Sequence, residues 1–554
     1  MKNILLDVNV VVDLCVDRSG SANSQLAVAL AKSYGLTLWV YAGSVQTLEY
    51  VVGSEVRRLT QVPSDKTLSP SVARLKAREL LHELTQDCQW LAALSGEGDV
   101  FATDDPEDTQ LLQALERFSY GEMHLLTRDK LLQEKDHQRT LSPEGLIDFY
   151  KQGGVARSTA FVDLAAQQDM IRPALEKNIH TVLHHGKYIL GPEVSELEQR
   201  LSEYAGCDHA VSCSSGTDAL LMALMALEVG PGDAVFTTPF SFIATADVIV
   251  RLGATPVFVD IDPRTYNLDS DKLDLAIQAV QQNDPNIYSL PADSTTNRGT
   301  DALTPKSVIP VDLYGLPCDY QAIHSLASKH GLQVIQDGAQ SFRAEYQGSL
   351  CPTLGDIGCA SFFPSKPLGS YGDAGALFTK DKDLADRFRS IRVHGQGASK
   401  YDTVRLGLKG RMDTLQAAIL LPKLDIYAQE LEQRRKIAER YKDLLRPLSS
   451  DISPPAMPEG HKSAWALYTV LTRGKEQRSA LQTELKEQGI PSSIYYGQPL
   501  HLQPLFQPLG YHKGDFPVAE DRADRVLSLP MHPYLSFDEQ DRICEVIRDK
   551  AKNS

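Results

Sequence analysis

Short apolar runs alternate with stretches of helical spacing along almost the whole chain. Within residues 1–150, ILLDVNVVV (4–12), TLWVYAGS (37–44) and HLLTRD (124–129) have the length and β-branched content of buried strands. SQLAVALAKSYG (24–35) and TQLLQALERF (109–118) carry helical spacing, the latter with Leu111, Leu112, Leu115 and Phe118 on one face. Such alternation predicts a parallel sheet covered by helices. The polar stretch 151–159, with a Gly pair and no periodicity, predicts a linker. From Phe161 seven further strand candidates follow, at 209–217, 234–240, 255–262, 307–315, 332–340, 358–363 and 375–380. They predict one large doubly wound α/β domain over 160–425. Residues 281–306, rich in Pro, Asn, Asp and Thr, predict a loop insertion. The run 426–445 predicts a long charged helix that opens a smaller α+β unit reaching residue 554.

Composition narrows the class. With 42% hydrophobic and 23% charged residues, the 554-residue chain is neither disordered nor a collagen-like repeat. A net charge of −16 disfavours general adhesion to nucleic acid or anionic lipid and leaves only local basic sites. The eight cysteines form no CxxC pair, which points to a reduced, cytoplasmic setting. The apolar N-terminus is interrupted by Asp7 and Asp13 and reads as a strand, not a signal peptide. The longest uncharged apolar run, Ala219 to Leu227, is far short of the ~20 residues of a membrane span, so no membrane partner is expected.

Chemistry gathers behind the strand candidates. In an open α/β sheet the carboxyl ends of the strands share an edge where ligands bind. Ser215, Gly216 and Thr217 open a helix, and a helix N-terminus with free N–H groups suits a phosphate. Phe242 suits stacking on a flat ring. Asp337, at the end of LQVIQD, suits pairing with a ring nitrogen and holding it protonated. Lys366, in SFFPSKPLG, suits a covalent bond to an aldehyde, with Ser361 a second phosphate donor. These are the parts that pyridoxal phosphate requires. Each alone is ordinary: SGT is a common helix cap, a buried aromatic is usually core, and most lysines are solvated. Their order on successive strands is what carries the reading.

Residues 161–554 resemble the DegT/StrS sugar-nucleotide aminotransferases, pyridoxal-phosphate enzymes of fold type I. The matching stretches are GKYILGPEVSELE, SSGTDALLMAL, FVDIDPRTYNLD, DGAQSF, SFFPSKPLGSYGDAGA, GRMDTLQAAIL and LSLPMHPYL. The resemblance implies that Lys366 bonds the cofactor and Asp337 pairs with its ring nitrogen. It also implies that Gln340 lies near the ring, that Gly216, Thr217 and Ser361 hold the phosphate, and that Phe242 stacks. It implies glutamate as amino donor, a nucleotide-linked keto sugar as acceptor, and a homodimer with shared sites. Where the family usually has Gly-x-Asn-x-Arg, this chain has Gly407-Leu408-Lys409-Gly410-Arg411. Lys409 can still reach a phosphate as a point charge. The chain is most similar to enzymes acting on UDP-2-acetamido-2-deoxy-3-oxo-glucuronate, and Arg411 is then placed to hold the sugar carboxylate as a two-pronged donor.

Four acids stand out in the N-terminal part. Asp7 and Asp129 end strand candidates, Glu49 lies in SVQTLEYVV, and Asp108 heads a helix. Carboxylates converging on one sheet edge repel unless a hard cation such as Mg²⁺ or Mn²⁺ neutralises them, and such a cation can activate water against a phosphodiester. LLDVNVVVDL, LEY, EDTQLLQALE, LLTRD and LSPEGLIDFY resemble the PIN-domain nucleases across residues 1–150. That likeness implies Asp7, Glu49, Asp108 and Asp129 as metal ligands, Asn9 as their neighbour, and single-stranded RNA as a partner. Val8 replaces the usual Thr. A PIN fold kept only for docking is the plainer alternative.

Two functions therefore compete: an aminotransferase with an accessory domain, and a nuclease or toxin-like protein whose pyridoxal-phosphate domain senses metabolites. Intact Lys366 and Asp337 favour the first.

Overall fold

The computed structural model describes residues 159–292, 302–399 and 401–552 and, before them, five strands and the helical positions 10, 11, 24 and 28. The chain divides into two compact units, Met1–Arg157 and Ser158–Ser554.

In the first unit, β1 (Asn3–Leu6), β2 (Thr37–Tyr41), β3 (Gln89–Leu91), β4 (Met123–Leu126) and β5 (Thr140–Leu141) form one sheet in the order β3-β2-β1-β4-β5. Every pairing is parallel, as the alternation predicts. The strand expected over 4–12 is shorter: it stops at Leu6, and Val10 and Val11 are helical and buried. Tertiary burial overrides the β-preference of these valines. Asp7, Val8, Asn9, Glu49, Asp108 and Asp129 lie outside the described residues.

The second unit opens with α1 (Leu164–His185) and α2 (Pro192–Ala205). There follow β6 (His209–Cys213), α3 (Gly216–Ala226), β7 (Asp233–Thr237), α4 (Ala244–Arg251), β8 (Thr255–Phe258) and α5 (Ser270–Gln282). The domain continues through β9 (Thr304–Ile309), α6 (Tyr320–His330), β10 (Gln333–Asp337), β11 (Ile357–Ser361), β12 (Gly375–Thr379) and α7 (Lys382–Ile391). All seven strand candidates join one sheet, ordered β6-β12-β11-β10-β9-β7-β8. Side chains alternate across it: Val235, Ile309 and Ile335 pack under α3, α4 and α7, while Phe236, Val308 and Val334 pack under α5 and α6. β12 alone runs antiparallel to its neighbours. Residues 362–374 before it carry no helix, and a strand that returns without a helical crossover comes back antiparallel. This helix-free return carries Lys366.

The long helix α8 spans Thr414–Leu445, starting a dozen residues before the expected 426 and running through the expected division at 425/426. Pro422 lies inside it and cannot donate to the carbonyl of Ala418. Asn178 of α1 donates to that carbonyl instead, at 3.2 Å, which allows the helix to continue. Beyond it, β13 (Ile452–Ser453), β14 (Tyr468–Thr472), α9 (Lys475–Glu487), α10 (Pro517–Arg525), β15 (Val526–Leu529) and α11 (Phe537–Lys552) make an α+β unit around an antiparallel sheet. No helix among the described residues is long and apolar enough to cross a membrane.

Candidate active site

The ends of β6, β10 and β11 and the loop after β7 open onto one cavity of about 570 Å³. Lys366, Ser215, Gly216, Thr217, Phe242, Asp337, Gln340 and Ser361 all line it. Strand ends bring them together because every strand but β12 leaves the sheet at that edge.

One end of the cavity is built for an anion. Ser215 is extended (φ −164°) and caps α3, its Oγ accepting the Asp218 N–H at 3.0 Å. Its side chain is therefore engaged first with its own helix. The N–H groups of Gly216 and Thr217 have no acceptor within a helix, as first-turn amides never do, and the helix dipole adds to their pull on an anion. A Cβ at Gly216 would stand 2.6 Å from Cβ of Ser361, and one at Gly375 2.5 Å from the Ser215 carbonyl. Only glycine lets the helix start press this closely against β11 and β12.

The same cavity holds opposite charges. Asp337 is 5% exposed, and its carboxylate accepts the Thr245 hydroxyl at 2.8 Å and the Ala339 N–H at 3.2 Å. Burial pushes its carboxyl above the usual range, against the opposing pull of those two donors and of the Lys366 charge. Burial likewise pulls the Lys366 ammonium below the ordinary lysine value, with the Asp337 charge opposing. A lysine so placed is closer to supplying a neutral, nucleophilic amine.

The walls are aromatic. Phe242 is 57% exposed although apolar, and the Tyr496 ring lies 6.5 Å from it. Gln340 is fixed from two sides: its Oε1 accepts the Tyr314 N–H at 2.6 Å and its Nε2 faces the Tyr496 hydroxyl at 3.4 Å.

Lys409 and Arg411 do not line the cavity. Lys409 is exposed and Arg411 half-buried. Their loop nevertheless runs beside the anion end, since the Ser214 N–H donates to the Gly410 carbonyl at 3.0 Å. Thr245, Tyr495 and Tyr496 line the cavity without having been anticipated. Thr245 follows Phe242 by one helical turn, a usable signal. The tyrosines come from the C-terminal unit, in a stretch with no periodicity. Among the described residues no group of three or more His, Cys, Asp or Glu is arranged to hold a metal ion.

Pyridoxal phosphate suits this donor set. The α3 amides and Ser361 would take its phosphate, Asp337 its ring nitrogen, Phe242 its ring face and Lys366 its aldehyde carbon. The unusual exposure of the Phe242 ring, inside a cavity that also buries a carboxylate, is the feature such a flat cation-forming ring would satisfy.

Residues 169–548 match the family model described as the DegT/DnrJ/EryC1/StrS aminotransferase family. The chain is 44% identical over 389 residues to the UDP-2-acetamido-2-deoxy-3-oxo-D-glucuronate aminotransferase of Pseudomonas aeruginosa, across 70% of this chain and 99% of that protein. A crystal structure of a DegT/DnrJ/EryC1/StrS aminotransferase from Brucella abortus superposes with a TM-score of 0.65 at 45% identity, covering 70% of this chain and 98% of that one. Bacillus subtilis NtdA with bound cofactor PMP superposes with a TM-score of 0.62 at 29% identity, over 80% of this chain and 98% of that one.

Proposed function

We propose that this chain, which belongs to the DegT/DnrJ/EryC1/StrS aminotransferase family, moves an amino group from glutamate to the 3-keto carbon of a UDP-linked N-acetylglucosaminuronate. Pyridoxal-phosphate-dependent transamination of a sugar nucleotide is the family's activity; donor and sugar are the further step. The observation that carries the transamination is that a buried Asp337 and a desolvated Lys366 line one cavity together with a helix N-terminus. The cofactor, when bound, supplies an electron sink that weakens a C–H bond on the substrate carbon bearing nitrogen. The protein's own residues do the rest. Asp337 would keep the ring nitrogen positive, and the Lys366 amine would take the proton from the glutamate carbon in one half-reaction and supply one to the sugar carbon in the other. The α3 amides would anchor the phosphate. Arg411, beside the anion end, is assigned to the sugar carboxylate, supported by the 44% identity to the uronate enzyme.

The setting we assign is a cytoplasmic homodimer. Exposed Tyr188, Ile189, Leu190, Tyr401, Val404 and Leu406 support the dimer, because exposed apolar groups mark contact surfaces. The Thr414 N–H donates to the Tyr188 carbonyl at 2.9 Å, so part of that surface adjoins the Arg411 loop. The test is purified protein, its visible absorbance followed on adding glutamate and then a panel of keto-sugar nucleotides. Bleaching by glutamate and recovery with the 3-keto uronate are expected. Bleaching with no recovery on any sugar would refute the acceptor, and no visible band would refute the whole reading.

For Met1–Arg157 our reading is a metal-dependent nuclease for single-stranded RNA, with Mg²⁺ or Mn²⁺ held by Asp7, Glu49, Asp108 and Asp129. It draws support from the parallel sheet, in which β1 and β4 are neighbours and Leu6 stands opposite Leu126. Asp7 follows β1 directly and Asp129 comes three residues after β4. Calorimetry with Mn²⁺ and an RNA cleavage panel on the full chain test it; neither heat nor cleavage would leave a docking scaffold.

A further inference from the structure

We propose that Lys423 is a positioning residue for Lys366, holding from α8 the loop that delivers Lys366 to the cavity. The geometry stands by itself; its consequence for turnover rests on the transamination reading above.

Lys423 lies in the first third of α8 with its side chain wholly buried. Its Nζ donates to the Gly369 carbonyl at 2.6 Å and sits 4.0 Å from the centre of the Tyr371 ring. Two turns earlier on the same helix, Gln416 accepts the Tyr371 N–H through Oε1 at 3.0 Å. The helix thus grips the return loop at one carbonyl, one ring and one amide. The tract between that grip and Lys366 is short and stiff. Pro367 has a fixed φ, and Leu368 is 1% exposed. The Lys366 N–H donates to the Phe363 carbonyl at 2.8 Å, and the Ser370 N–H to the Phe362 carbonyl at 2.7 Å. A shift at Gly369 therefore travels three residues to Lys366 with little slack.

A charge is an expensive way to fill this space. Taking an ammonium out of water costs free energy that only its own contacts can return. Burial lowers the Lys423 ammonium to about 8, and the Glu430 charge opposes this only in part. Glu430 is itself engaged, accepting from Gln167 at 2.9 Å and from the Tyr534 hydroxyl. What the ammonium provides and a methyl group cannot is a charge-assisted hydrogen bond and a cation–π contact on the loop. The location of both partners, three and five residues beyond Lys366, ties that provision to the active-site lysine.

Hydrogen exchange by mass spectrometry on the full-length, cofactor-free protein tests this. Lys423→Met keeps the stem and removes the cation. The amides of Lys366, Ser370 and Tyr371 should then exchange at least about tenfold faster, the factor a lost charge-assisted bond carries. Amides of β11 and α8 should hold, and the melting temperature should fall by only a few degrees, the cost of the carbonyl left unpaired. Pyridoxal phosphate should also generate visible absorbance more slowly by a similar factor. Wild-type exchange in a folded Lys423→Met protein would overturn the proposal. Should that variant not fold, Tyr371→Leu removes the ring alone and should raise exchange at the same three amides severalfold; no rise would overturn it equally. A wild-type protein that fails to transaminate would refute the function and leave these exchange results to decide this proposal. Unchanged exchange in an active enzyme would refute this proposal alone.

Discussion

Replacing Thr245 by valine should move the acid limb of the reaction to higher pH. The Thr245 hydroxyl, 1% exposed, donates to Asp337 at 2.8 Å and is itself 3.0 Å from the Ser241 hydroxyl. Valine keeps the shape and removes the donor. A hydrogen bond to a charged group contributes roughly 1.5–3 kcal/mol, and one pKa unit corresponds to about 1.36 kcal/mol. The Asp337 carboxyl should therefore rise further above its already raised position, its proton held at least about tenfold more tightly. The sign follows from which form works. The carboxylate is present above the pKa and lost as pH falls through it, so a higher pKa brings the loss at a higher pH. The assay is the pH profile of kcat/KM for the glutamate half-reaction, read beside the affinity of the cofactor-free protein for pyridoxal phosphate. Thr245→Ser should restore both, since it returns the hydroxyl. An unshifted acid limb in a folded Thr245→Val protein would refute the claim that this hydroxyl sets the state of Asp337.

Three further outcomes are expected. Lys366→Ala should abolish transamination and shift the visible spectrum of added pyridoxal phosphate toward the free cofactor, with the circular dichroism of the fold unchanged. Gly216→Ala should weaken pyridoxal phosphate binding at least about tenfold and cost about 1–3 kcal/mol of stability by overpacking against Ser361, checked by cofactor titration and thermal melting. Arg411→Ala should reduce kcat/KM for the 3-keto uronate by on the order of 100-fold or more, the effect of stranding one member of a desolvated charge pair, and spare a 6-deoxy keto sugar; equal losses would assign Arg411 to the nucleotide or the fold.

The parts legible in the sequence share a physical property: they are local. A buried strand shows itself as a short apolar run, and the residue that ends it sits at the sheet edge without help from elsewhere. That is why the runs themselves set Ser215, Asp337 and Ser361 at strand ends, and why seven apolar runs correspond to seven strands. Lys366 was legible for the same reason, one short loop beyond β11. The illegible parts depend on burial by distant chain. α8 starts a dozen residues before the expected 426 and runs through Pro422, and the amide that meets the freed carbonyl there comes from Asn178, 240 residues from Ala418. The valines at 10 and 11 read as strand because nothing in their own run signals the helix they join.

The same distinction separates the residues that do chemistry from those that tune it. Thr245 is an unremarked hydroxyl in the first turn of α4 until Asp337, 92 residues on, is desolvated against it. In water the pair would exchange one hydrogen bond for another at little net gain; inside the cavity an unmet carboxylate lone pair has no such substitute. Lys423, in LLPKLD, reads as a solvated surface charge, yet the packing of α8 under the return loop buries it and forces its protons onto Gly369 and the Tyr371 ring. A hydroxyl or an ammonium acquires its effect from the low dielectric that surrounds it. The role of each is thus a property of its packing, of α4 against the end of β10 for Thr245 and of α8 against the return loop for Lys423, and becomes legible only once the fold has supplied these neighbours.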